Sequence, residues 1–166
     1  MAILKIIRKQ YTNDGAILNL ISYITNPLKT PSGIIGGKGV SLSNPAYCMD
    51  TNINIHKSEG KKAEHFVLSF SPKDDITVSV NDLYRIGYDI CDYFSEYQVV
   101  FALHEPIYGA NEYGNDFYHF HFVINTTNLY NGRKHTWSLF ETNDLLNYVC
   151  AVLEKDAGFY GQLKLV

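Results

Sequence analysis

Segment 117–126 (FYHFHFVINT) restricts the fold more than any other stretch of this 166-residue sequence. Tyr118, Phe120, Phe122 and Ile124 alternate with His119, His121, Val123 and Asn125, the period of two that marks a β-strand. The first face is wholly aromatic and aliphatic, so it has to look into a core. The second sets His119 and His121 side by side, about 7 Å apart along the backbone, and turns them toward a cleft or a second layer. The run 97–103 is almost continuously apolar, of strand length, and ends at His104. If these two strands pair, His104 joins the other two. Three neutral imidazoles with coordination positions to spare are the donor set of a catalytic rather than a structural metal site.

Periodicity places the remaining elements. Segment 2–9 (AILKIIRK) predicts a strand, and Ile17, Leu20, Ile21 and Ile24 form one face of a helix that starts near Asp14 and stops before Pro27. Tyr23 lies about 110° from the centre of that apolar stripe, at ~100° per residue, and is free to reach solvent or a site. Residues 26–62 are rich in proline and glycine and read mostly as loop, with a short helix near 46–52. Segment 64–71 alternates as a strand, with His65 on the face opposite Phe66, Leu68 and Phe70. Ser79 and Asp82 form a capping-box pattern that opens a second helix through Leu83, Ile86, Ile90 and Phe94. A polar loop follows at 105–116. After the histidine strand come a turn at Asn131-Gly132, a short strand within 134–140, and a last helical face through Leu145, Leu146, Val149, Val152 and Leu153. The order β-α-β-α-β-β-α predicts one α+β domain over residues 1–166.

Composition bounds the function. No apolar run approaches the roughly 20 residues of a membrane span and no secretory leader opens the chain, so a cytoplasmic protein is expected. Cys48, Cys91 and Cys150 lack metal-type spacing and are expected to be buried thiols. The net charge of −3 argues against a protein coated in nucleic acid, yet eight of the fourteen basic residues fall in the first 62 positions, against three acids there. A local basic patch is compatible with that asymmetry, as is a solvated lysine surface.

Four segments, 21–30 (ISYITNPLKT), 63–72 (AEHFVLSFSP), 97–104 (YQVVFALH) and 119–128 (HFHFVINTTN), resemble in order and separation the relaxase/mobilisation nuclease family that starts plasmid transfer. The resemblance spans nearly the whole chain. It implies a HUH-type endonuclease whose five-stranded antiparallel sheet carries the histidines, with helices packed behind. The family's metal ligands fall on His104, His119 and His121, and its tyrosine nucleophile on Tyr23. The implied reaction nicks single-stranded DNA at a transfer origin, leaving a 5′-phosphotyrosyl link and a free 3′-hydroxyl, with accessory relaxosome proteins as further partners. Mg²⁺ or Mn²⁺ is the implied metal; Zn²⁺, Co²⁺ and Ni²⁺ also suit three nitrogen donors in vitro.

A phenol with a reference pKa near 10 needs a metal, base or cation to attack at neutral pH. Glu105, Asp116 and His65 are candidates for the base or for supporting the ligands, and Tyr11 is an alternative nucleophile. Lys29 and Lys38 are expected to hold DNA against the glycine-rich stretch 32–44, with Trp137 available for base stacking. The sequence departs from the family in the long loop after Glu105-Pro106 and in Phe117, which stands where the family has a further, non-ligating histidine. It also ends at Val166, where relaxases usually continue, so an excised nuclease domain or a minimal protein reliant on partners is expected. Two rivals remain: an inactive origin-DNA-binding accessory module, and a rolling-circle replication initiator, which a nucleophile such as Tyr148 would favour.

Overall fold

The computed structural model describes residues 2–70, 78–106 and 117–166, the side chain of Phe70 excepted. Among them the chain runs β1 (Ala2–Ile6), α1 (Ala16–Ile24), β2 (Ile35–Lys38), α2 (Pro45–Ile55), β3 (Ala63–Phe70), α3 (Val80–Asp92), β4 (Val99–His104), β5 (His119–Asn125), α4 (Leu139–Ala157) and β6 (Leu163–Leu165). The strands form a single sheet in the order β2-β4-β5-β3-β1-β6. Every neighbouring pair is antiparallel except β1 and β6, which run parallel.

The α+β class agrees with the sequence reading, but the sheet is mixed and six-stranded rather than antiparallel and five-stranded. The additional strand is β6. Gly158 takes the left-handed φ of 58° that ends α4, and the chain returns to lie beside β1, where Leu163 pairs with Ala2 and Leu165 with Leu4. The strand expected within 134–140 does not form. Lys134 makes an isolated bridge to Thr127, and Ser138 already caps α4 through a capping box with Glu141. The short helix expected at 46–52 extends over Pro45–Ile55, with Pro45 in the first turn and Asn44 as its cap.

Helices cover both faces of the sheet, not one. Phe66, Leu68, Val99, Phe101, Leu103, Phe120, Phe122 and Ile124 pack in one core with Ile86 and Ile90 of α3 and Leu145, Val149 and Leu153 of α4. Ala63, Val100, Ala102 and Val123 face the other way, against Ile17, Leu20, Ile21 and Ile24 of α1 and Met49 and Ile53 of α2. The alternation in β5 therefore separates two packed layers, and the histidines belong to the α1/α2 side. The cysteines are free thiols; Cys91 is buried as expected, whereas Cys48 and Cys150 are only half-buried.

Phe101 explains two glycines. A Cβ on Gly36 of β2 or on Gly87 of α3 would lie 2.4 Å from its ring, so the fully buried phenylalanine occupies the space both side chains would need. Alanine at Gly87 has no room unless the ring and helix separate. Gly87→Ala is expected to cost about 1–3 kcal/mol through overpacking, read as a lower urea midpoint. An unchanged midpoint would contradict this packing.

Candidate metal centre

The register of two strands assembles the site. His104 at the end of β4 sits directly opposite His119 at the start of β5, and Ala102 opposite His121. The ring centroids are 5.2 Å apart for His104 and His119, 4.2 Å for His104 and His121, and 5.0 Å for His119 and His121. One ligand atom from each ring lies within 4.8 Å of the others. All three residues are buried, at 3, 7 and 4 % exposure in chain order.

One nitrogen of each imidazole is already engaged. His104 Nε2 donates to the Ile24 carbonyl at 2.9 Å, and His119 Nδ1 donates to the Phe117 carbonyl at 3.0 Å. His121 Nδ1 meets His65 Nε2 at 2.8 Å. The opposite nitrogen of each ring is left to serve as the donor. His121 Nε2 in particular is buried and has no hydrogen-bond partner among the described residues. Buried polar atoms are rarely left so, and an orphaned nitrogen facing two further imidazoles fits a cation.

Electrostatics favour the same use. Burial, reinforced by His119 and Lys29, lowers His104 to about 4 despite the opposing hydrogen bond to Ile24. Burial together with His104 brings His65 to about 4. His119 is lowered by burial and by Lys29, and His121 is driven far down by burial and the charges of its histidine neighbours. The rings are thus neutral at physiological pH, with lone pairs ready for an ion.

Burial of these neutral rings makes the fold less stable in acid. Above the ordinary value of 6.5 these imidazoles are neutral in both folded and unfolded chains, so their full contribution is present. As pH falls from 6.5 toward 4 the unfolded chain binds protons that the fold refuses, and stability is lost. The urea midpoint of the metal-free protein is expected to decline across that window; a flat midpoint would contradict burial of neutral rings.

Tyr23 lies beside this cluster. It is 44 % exposed, and its ring stands edge-on to His104 at 5.7 Å and to His121 at 5.5 Å between centroids. The next residue, Ile24, supplies the carbonyl that holds His104, so the last turn of α1 fixes tyrosine and histidine together. Lys29 Nζ sits 3.8 Å from the centre of the Tyr23 ring. The Lys29 carbonyl in turn accepts from Glu105 N–H at 3.0 Å, which ties this turn to the end of β4.

Other sequence candidates are placed differently. Glu105 Oε1 accepts from the Ser32 N–H at 2.8 Å, bracing the glycine-rich stretch. Asp116 lies outside the described residues. Lys38 pairs with Asp92, which follows from its position at the end of α3 on the far face of the sheet. Trp137 is also on that face, against Phe66 and Phe94, and not beside the histidines. Tyr148 donates to the Asp89 carbonyl at 2.9 Å on the same far side, remote from the cluster. Tyr11 is buried, and its hydroxyl is 3.0 Å from His65 Nδ1.

A family model described as the nuclease domain of MobA/VirD2-like relaxases matches residues 23–159, a span that opens at Tyr23 and contains all three clustered histidines. This chain belongs to the MobA/VirD2-like relaxase family. Two curated relatives, both group II intron-interrupted relaxase LtrB, one from Lactococcus lactis subsp. cremoris strain MG1363 and one from L. lactis subsp. cremoris, are 27 % identical over 157 residues. The match takes in 77 % of this chain and 26 % of each relative, so the relaxase domain spans about a quarter of their length. The match is to the nuclease domain of that family, and the histidine triad fits metal binding. No helix among the described residues is long and apolar enough to cross a membrane.

Sequence reasoning offered His65 only as a possible base or supporting residue and Tyr11 only as an alternative nucleophile; the structure links Tyr11 to His65 and His65 to His121. The alternation of β3 places His65 on the face opposite Phe66, but only the pairing of β3 with β5, His65 opposite Val123, makes it a diagonal neighbour of His121.

Proposed function

We propose that this relaxase domain is a metal-dependent single-strand DNA endonuclease and transesterase that nicks a transfer origin, with Tyr23 as nucleophile. The observation that carries the reading is the convergence of three tied-back imidazoles within 4.8 Å, with the Tyr23 ring packed against two of them. His104, His119 and His121 would hold the ion, Mg²⁺ or Mn²⁺ by preference. When bound, it supplies positive charge to the non-bridging oxygens of the scissile phosphate.

The protein's own residues supply position and proton handling. The Tyr23 oxygen attacks phosphorus as the bond to the 3′ oxygen breaks, giving a 5′-phosphotyrosyl link and a free 3′-hydroxyl; closure reverses both changes. The phenol's proton passes to a carboxylate or to water, and the departing oxygen takes one up. Glu105 has a second carboxylate oxygen beyond the one bound to Ser32, and Asp116 is the other candidate base. Lys29 places a cation over the Tyr23 ring, where it attracts phosphate. Phe117 and Tyr118, both exposed just before His119, offer faces for base stacking. Lys38 contributes to DNA binding only if it leaves Asp92. Relaxosome proteins remain proposed partners.

Incubation with Mn²⁺ and labelled single-stranded oligonucleotides from candidate origins tests this. A covalent adduct mapped by mass spectrometry to Tyr23, absent with EDTA, is expected. Stable complexes without any adduct would instead support an accessory binding module.

A further inference from the structure

We propose that Tyr11 and His65 are positioning residues that hold His121 in the tautomer an ion requires, a reading that rests on the three histidines being metal ligands. The three side chains form a buried line. Tyr11 Oη is 3.0 Å from His65 Nδ1, and His65 Nε2 is 2.8 Å from His121 Nδ1. The two imidazoles stack with centroids 5.1 Å apart and planes 29° from parallel. Tyr11, His65 and His121 are 9, 5 and 4 % exposed, so water does not compete freely for these links.

Each link holds one hydrogen, which allows two arrangements of the line. In one, His121 Nδ1–H donates to His65 Nε2, and His65 Nδ1–H donates to Tyr11 Oη. His121 Nε2 then presents a lone pair. In the other, Tyr11 Oη–H donates to His65 Nδ1 and His65 Nε2–H donates to His121 Nδ1. His121 Nε2 then carries the hydrogen, at a buried position where it has no partner among the described residues. Only the first arrangement accepts an ion, and Tyr11 Oη is the acceptor that ends it.

Tyr11 is built into place for this purpose. Its φ of 46° is in the left-handed region, which a bulky residue adopts only where its surroundings over-determine it. The Lys62 N–H donates to its carbonyl at 3.0 Å, and Lys9 Nζ lies 5.4 Å from the ring centre. Burial and the neighbouring Tyr23 and Glu64 raise its phenol, so the group stays a neutral hydroxyl. It precedes the span 23–159 that the family model matches.

Calorimetric titration of Mn²⁺ into the metal-free full chain, with melting curves on each variant, reads the effect. His65→Leu is expected to weaken binding by about 10–100-fold, the range seen when a ligand histidine loses its outer partner. Tyr11→Phe should weaken it by less, and should add nothing in the His65→Leu background. His65→Gln, whose side-chain oxygen can accept from His121 Nδ1–H, should recover most of the affinity. ¹⁵N NMR of the Zn²⁺-loaded wild type should show His65 protonated at Nδ1; this reading and Tyr11→Phe stand even if His65→Leu does not fold. Wild-type binding with His65→Leu and Tyr11→Phe each within about twofold of it, or His65 protonated at Nε2, would overturn the line alone. Absence of any binding by the wild type would overturn the metal centre and this inference together.

Discussion

Phenylalanine in place of Tyr23 is expected to abolish the covalent protein–DNA adduct and to lower nicking by on the order of 10⁴-fold or more, as loss of a nucleophile does elsewhere. The substitution removes one oxygen and leaves the ring, so the edge-on packing against His104 and His121 and the contact with Lys29 are preserved. Fold and metal affinity should therefore be unchanged. Gel analysis of labelled oligonucleotide, with melting and Mn²⁺ titration alongside, separates the chemistry from the scaffold. Persistence of an adduct in the variant would transfer the role to another tyrosine. Tyr11 is poorly suited because its hydroxyl is engaged by His65, and Tyr148 because it points into the α3/α4 layer.

The second large effect is expected at His121. Its Nε2 is the one ligand nitrogen that the described fold leaves buried and unpartnered, and it sits between His104 and His119. His121→Ala should reduce Mn²⁺-dependent nicking by about 10³-fold, comparable to removing a principal source of charge stabilisation at a reacting centre. If the loss arises through affinity, excess Mn²⁺ will recover part of it; recovery will be absent if geometry at the phosphate is lost. Retention of activity at ordinary Mn²⁺ concentration would remove His121 from the site.

Much of this site was legible because β-strands have a strict period. The alternation through 117–126 separates the aromatic side of β5 from its histidine side, and the apolar run ending in His104 is a central strand, packed on both faces. What pairing alone decides was not legible. That β3 is the other neighbour of β5, and so brings His65 to His121, depends on long-range register. β2 was hidden by its glycines: the Phe101 ring fills the side-chain space of Gly36, and the Val99 carbonyl that of Gly37. The start of α4 was missed although Ser138 and Glu141 spell a capping box, the same signal that located α3. The Lys38–Asp92 pair was not legible either, because a local excess of basic residues carries no information about which face a residue on an edge strand will take.

The measurement closest to the centre of this account is anomalous diffraction from a crystal of the domain grown with Mn²⁺. A single strong peak is expected among His104, His119 and His121, with His121 bound through Nε2 and the Tyr23 hydroxyl facing the open side of the ion. Rings found apart, or a peak bound elsewhere on the molecule with these nitrogens bare, would contradict it.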